Sequence, residues 1–210
     1  MPVDPTVLAA FVLASAILVV IPGPTIVMVV GQALAHGRRT ALASVAGVGL
    51  GDLIAASLSL AGVGALLATS AGAFAALKWL GAAYLITIGI RMWRSPVSFT
   101  AEAATIVETR RRLVFRDAFL VTLFNPKGIV FFVAFVPQFI DPAKPYAAQA
   151  MVFIGIFVLL GIVNAYLYAL LATTARGFIR RPRVLRSATR TGAACLIGAG
   201  VLSAFAPRPA

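Results

Sequence analysis

Acidic residues are scarce in this chain, and so are the side chains that build metal or nucleophile sites. Of 210 residues only six are Asp or Glu, one is His and one is Cys. Cys195 alone forms no intrachain disulfide and no thiolate metal site, and His36 alone forms no histidine cluster. Charged residues of both signs make up 11% of the chain, against about 25% in an average soluble domain. There is no His-Glu-x-x-His pattern, no acidic pair within an apolar run and no Walker-type phosphate loop. These absences argue against an enzyme and against an ATP-driven pump. They predict no cofactor and no metal site.

What fills the chain instead is apolar residue in long runs, 61% by composition. That is the signature of an all-α membrane protein, read here as a single transmembrane domain over 1–210. The net charge of +12 would suit nucleic acid, but the arginines lie between the apolar runs and no basic module with interleaved aromatics appears. The N-terminus lacks the cationic start of a signal peptide, so the first run reads as a retained span.

Six spans are expected, at about 7–30, 41–68, 74–92, 115–139, 147–173 and 191–205. The sixth is short of the roughly 20 residues a span needs, so a tilted or re-entrant helix is its alternative. Fourteen arginines fall in the links after spans one, three and five, while Lys78, Lys144 and Arg208 lie on the opposite side. The positive-inside rule makes the arginine-rich links cytoplasmic and turns both termini outward. His36 falls in the first link and reads as merely solvated, and Lys78 as snorkelling to the interface.

Two spans carry interruptions. The first holds Pro22-Gly23-Pro24, and the fourth holds Asn125-Pro126-Lys127-Gly128. Proline lacks an N–H and clashes with the preceding turn, so both helices must kink or break there, and Gly128 offers conformations other residues avoid. The breaks fall in spans of opposite direction, which predicts a 3+3 inverted-topology repeat. Its halves would be about 5–93 and 115–206, joined by a cytoplasmic loop over about 94–114.

Broken helices supply free N–H groups for a carboxylate and free C=O groups for an ammonium. A solute carrying both a carboxylate and an ammonium would use both. The two breaks are therefore expected to face each other across a central cavity, with Pro22, Gly23, Pro24, Asn125, Pro126, Lys127 and Gly128 around it. Lys127 would meet the substrate carboxylate or pair with Asp52; the other reading is a lysine snorkelling to the interface. Asp52, the sole carboxylate well inside a span, is either a proton carrier or a structural partner. Gly47 and Gly51 form a small-xxx-small pair for close helix contact. Tyr84, Asn164, Tyr166 and Tyr168 either line the path or serve as interhelical hydrogen bonds and an aromatic belt.

In order along the chain, Pro22-Gly23-Pro24, Gly37-Arg38-Arg39, Gly47-x-Gly-x-Gly51-Asp52, Leu77-Lys78-Trp79-Leu80-Gly81-Ala82-Ala83-Tyr84-Leu85, Gly89, Phe119, Asn125-Pro126-Lys127 and Pro137-Gln138-Phe139 resemble the LysE/RhtB group of amino-acid exporters. The last third matches only in hydropathy. The resemblance implies a multi-pass bacterial inner-membrane exporter whose partners are an amino acid, protons or ions as coupling species, and the lipid bilayer. A homo-oligomer stays open. The substrate would be neutral, hydroxylated or basic. The rival reading is a transporter of divalent cations or other small solutes, for which Asp52 facing a lysine is a poor ligand set.

The topology is testable by cysteine-accessibility labelling on a background lacking Cys195. Cysteines at 103 and 183 should resist an impermeant reagent added from outside. Blocking at either position would reverse the orientation.

Overall fold

The computed structural model describes residues 2–69 and 111–174 as continuous chain, together with positions 79, 83, 86, 87, 90, 93, 94, 187, 190, 194, 197, 198 and 201. All the regular structure among these residues is helical. The third and sixth expected spans, with Lys78, Tyr84 and Cys195, lie outside the described residues apart from the helical positions just named.

Helix α1 spans Pro5–Val20. Asp4 caps it, its Oδ1 accepting from the N–H groups of Thr6 at 2.8 Å and Val7 at 3.4 Å, and these donors hold the Asp4 carboxyl below the usual carboxylate range. The helix stops because Ile21 precedes a proline and is pushed into an extended conformation, φ −65° and ψ 117°. Helix α2 spans Pro24–His36 and starts on Pro24, whose ring presets a helical φ where no N–H is needed. The two helices meet at 53°. The proline pair thus ends one helix and begins the next, which is a break and not a bend.

Gly37 alone separates α2 from α3, which spans Arg38–Thr69. Its φ of 77° is the one positive value among the described residues, a conformation that glycine takes without steric cost. His36 therefore belongs to α2, and Arg38 and Arg39 to α3, where a longer polar link was expected.

Helix α4 spans Arg111–Leu123. It begins before the expected position at Phe115, so Arg111 to Val114, placed in the cytoplasmic loop over about 94–114, are helical. Asn125 precedes Pro126 and is extended, with ψ 108°, and α5 restarts as Pro126–Val130. It runs on through a π turn, Phe131–Phe135, and a 3-10 turn, Val136–Phe139. Helix α6 spans Tyr146–Thr174. The buried Gln149 ties the connecting loop, accepting from the Asp141 N–H at 2.9 Å and donating to the carbonyls of Asp141 and Lys144.

Among the described residues, three helical stretches are long and apolar enough to cross a membrane: Thr40–Val63, Arg111–Phe139 and Tyr146–Thr174. The bent pair Pro5–Val20 with Pro24–Leu34 is a fourth if counted as one span. Side-chain pairings set their directions. Gly47 meets Phe115 and Ala118 while Gly51 meets Thr122, so α3 and α4 run parallel. Gly49 meets Ile162 and Leu60 meets Tyr146, so α6 runs against α3. Phe11 packs on Phe139 while Thr25 bonds Asn125, so the two broken spans are antiparallel neighbours. Farther along, the Arg190 guanidinium lies 5.6 Å from the ring centre of Trp93, joining a described position just after the third expected span to one just before the sixth.

Two cores flank the breaks. One is aromatic, with Phe11, Phe131, Phe132, Phe153 and Phe157 buried together and Phe11 and Phe153 centred 4.6 Å apart. The other is made of small residues, Val29, Val30, Ala33, Ala41, Ala165 and Ala169 among them. Helix α3 closes on α4 through glycines. A Cβ at Gly47 would run into the Phe115 carbonyl oxygen and lie 3.0 Å from the Phe119 nitrogen.

Gly47→Ala should therefore lower the detergent melting temperature, at a cost of about 1–3 kcal/mol for forcing packed backbone apart. Gly62→Ala is the control, since nothing lies within 4 Å of a Cβ there. It should be neutral or stabilising, as alanine is the better helix former.

Candidate functional site

The carbonyl end of α1 organises the site. A helix leaves its last carbonyls without partners inside the helix, and in an apolar layer they must find donors elsewhere. Here all four find side chains from the second half of the chain. The Lys127 Nζ donates to the Leu18 carbonyl at 2.9 Å and to the Ile21 carbonyl at 2.9 Å. The Asn164 Nδ2 donates to Val19 O at 2.8 Å, and the Tyr168 hydroxyl to Val20 O at 2.8 Å. The negative end of the α1 dipole thus meets a cation and two neutral donors.

The second break holds the lysine in place. Asn125 is the N-cap of α5: its Oδ1 accepts from the Lys127 backbone N–H at 3.1 Å. Its Nδ2 donates to Thr25 Oγ1 at 3.1 Å, across to the start of α2, and the Thr122 hydroxyl donates to the same Thr25 oxygen at 3.4 Å. Gly23 leaves space beside the ammonium, since a Cβ there would lie 3.5 Å from Nζ. The N-terminus of α2 has no side-chain cap.

Asp52 lies one helix away on α3. Its carboxylate and the Lys127 ammonium act on each other electrostatically, but no ion pair within 4 Å forms between them. The carboxylate rests against Gly161 of α6, where a Cβ would sit 2.5 Å from Oδ2. Gly161, Asn164 and Tyr168 follow helical spacing i, i+3, i+7, so one stripe of α6 makes room for Asp52 and caps α1.

Several expectations meet a different outcome. The breaks do not face each other across a gap; they are joined by hydrogen bonds. Lys127 neither snorkels nor pairs with Asp52, because the α1 carbonyls lie within direct reach and themselves need donors. Gly128 has ordinary helical backbone and open space around its Cβ position, so neither φ nor crowding demands glycine. Gly51, by contrast, makes the close helix contact expected of its pair with Gly47, a Cβ there lying 2.8 Å from Thr122 Cβ and 2.9 Å from the Phe119 carbonyl. Tyr166 packs on the small-residue core. Tyr84 is outside the described residues. Pro22 is fully buried, Pro24 and Pro126 are exposed at the helix starts. Thr25, Thr122 and Gly161 were not read as site residues. Thr25 could have been found as a hydroxyl directly after the Pro-Gly-Pro break, and Gly161 from its spacing to Asn164. A separate cleft of about 670 Å³ lies between α3 and the second break, lined by Ala55, Leu58, Phe124, Ile129 and Val133 among others. Its wall is apolar and offers no site for a zwitterion.

The profile of the family described as "LysE type translocator" matches residues 16–205. The chain belongs to that family. It is thus a multi-pass membrane transporter and not an enzyme. Among its relatives, a Vibrio cholerae protein named "Uncharacterized membrane protein" is 34% identical over 94% of this chain and 96% of its own length. A Salmonella typhimurium "Homoserine/homoserine lactone efflux protein" is 35% identical over 94% of this chain and 95% of its own length. A Salmonella choleraesuis "Leucine efflux protein" is 31% identical over 65% and 64%. No solved structure matches the chain.

The capping arrangement is testable. Asn164→Leu strands the Val19 carbonyl at a buried position and should cost about 1–3 kcal/mol, read as a fall in melting temperature. Tyr168→Phe removes one hydroxyl from a more exposed position and should cost less. Unchanged melting of both variants would remove the caps from the account of stability.

Proposed function

We propose that this chain is a secondary active exporter of amino acids from the bacterial cytoplasm, placed in the inner membrane and coupled to the proton or ion gradient. The observation that carries the reading is the pair Lys127 and Asp52: opposite charges inside the spans, within electrostatic reach, and not paired. A zwitterion complements both. Its carboxylate suits the third Lys127 proton together with the uncapped N-terminus of α2, and its ammonium suits Asp52. Pro22, Gly23, Pro24, Asn125 and Pro126 shape the backbone around that place. The relatives named for homoserine and leucine efflux favour neutral or hydroxylated substrates. Asp52 is the first candidate proton carrier.

The rest of the architecture fits an exporter of six spans in two inverted halves, about 5–93 and 115–206. Spans one and four are antiparallel, as are spans two and five. The parallel run of α3 and α4 supports a third span between them. Divalent-cation transport is the weaker reading. Among the described residues no three His, Cys, Asp or Glu side chains gather.

The test is an export screen in cells overproducing the chain, across neutral, hydroxylated and basic amino acids, with divalent metals as the other arm. Faster release of an amino acid is expected; release of a metal ion alone would transfer the assignment. In the same assay, Gly161→Ala should displace the Asp52 carboxylate and abolish export. The protein should still insert and melt at least as high, since alanine favours helix by about 1 kcal/mol over glycine. Full export by Gly161→Ala would remove Asp52 from the path.

A further inference from the structure

We propose that the carbonyl end of α1 is a monovalent-cation site that the chain fills with its own ammonium, that of Lys127, so that no sodium ion is needed there. Carbonyls at the end of a broken membrane helix are the groups that coordinate Na⁺ in ion-coupled transporters. At this break the Leu18 and Ile21 carbonyls converge on one point, and the point is occupied by Lys127 Nζ, 2.9 Å from each. The intervening carbonyls of Val19 and Val20 are satisfied by the neutral donors Asn164 and Tyr168. The cation arrives from the opposite break on a stem whose backbone is pinned by Asn125. Such tethering makes the contact intramolecular, so the site closes without capturing a free ion. Gly23 keeps the neighbouring space free of side chain, so removal of the lysine stem leaves room for a small ion.

A tethered cation does not cross the membrane. On the exporter reading, the ion that drives transport binds elsewhere, and Asp52 is the titratable group left to carry it. The cation site itself stands on the α1 carbonyls and not on the identity of the substrate.

The experiment uses purified full-length protein in detergent, with methylammonium chloride as the probe, sodium chloride as the second, and choline chloride at matched ionic strength as the reference. Lys127→Ala opens the site. Its melting temperature should start below wild type and rise by several degrees as methylammonium reaches concentrations on the order of tens of millimolar. Sodium should give a rise of the same sign. Lys127→Met keeps the stem volume, leaves no space for the ion, and should not respond. Wild type should respond to neither. No response of Lys127→Ala to either cation overturns the proposal, and so does an equal response of Lys127→Met. The wild-type arm needs no variant to fold. Stabilisation of wild type by sodium relative to choline overturns the proposal as well. If no amino acid is exported at all, the exporter reading fails while the melting measurements still decide the cation site.

Discussion

Two broken helices inside an apolar layer are tolerable only if every loose backbone group finds a partner, and the contact of Lys127 with the Leu18 and Ile21 carbonyls supplies the hardest of these partnerships. An unsatisfied carbonyl in hydrocarbon costs several kcal/mol, and an unpaired ammonium at least a few. Each is here the remedy for the other. The same contact locks the first break to the second, and Asn125 with Thr25 makes a second tie across the junction. The breaks therefore form one structural unit, and neither can be altered without leaving the other incomplete.

Packing on the two sides of this unit is unequal. One side is filled by interlocked phenylalanines from α1, the π and 3-10 turns after α5, and α6. The π turn, Phe131–Phe135, is part of that packing: by widening the helix it turns Phe131 and Phe132 together onto Phe157. The other side is built from valine and alanine on α2, α3 and α6. Small side chains permit sliding with little rearrangement, whereas interlocked rings must change rotamers together. Gly37 joins α2 to α3 with a single residue, so these two helices have little freedom to part at that end.

Much of this was legible in the residues. Hydropathy located the described spans, and Pro22, Pro24 and Pro126 located both breaks, because proline has a local meaning that tertiary structure does not override. The family was legible in motifs spaced along nearly the whole chain. The partners were less so. Nothing in the sequence says that Lys127 meets carbonyls of residues 18 and 21 and not Asp52, since backbone acceptors carry no residue code. Asn164 had been weighed as an interhelical hydrogen bond, and that is the contact it makes. Gly128 was misread because glycine has two uses, strain relief and close approach, and here neither operates. Gly161 was missed because its importance belongs to the side chain it accommodates, Asp52 on another helix.

The donors that complete α1 are distant in the chain: Lys127 stands 106 and 109 positions from its acceptors, Asn164 145 and Tyr168 148. During synthesis α1 is made first and its completing residues last. At ordinary translation rates the interval is roughly 7–30 s. Until Lys127 emerges the nascent first span carries four open carbonyls that a bilayer cannot solvate, and those of Val19 and Val20 stay open until α6 follows. The early chain is thus poorly suited to release into lipid on its own, and its natural resting place until α6 emerges is the hydrated environment of the insertion machinery.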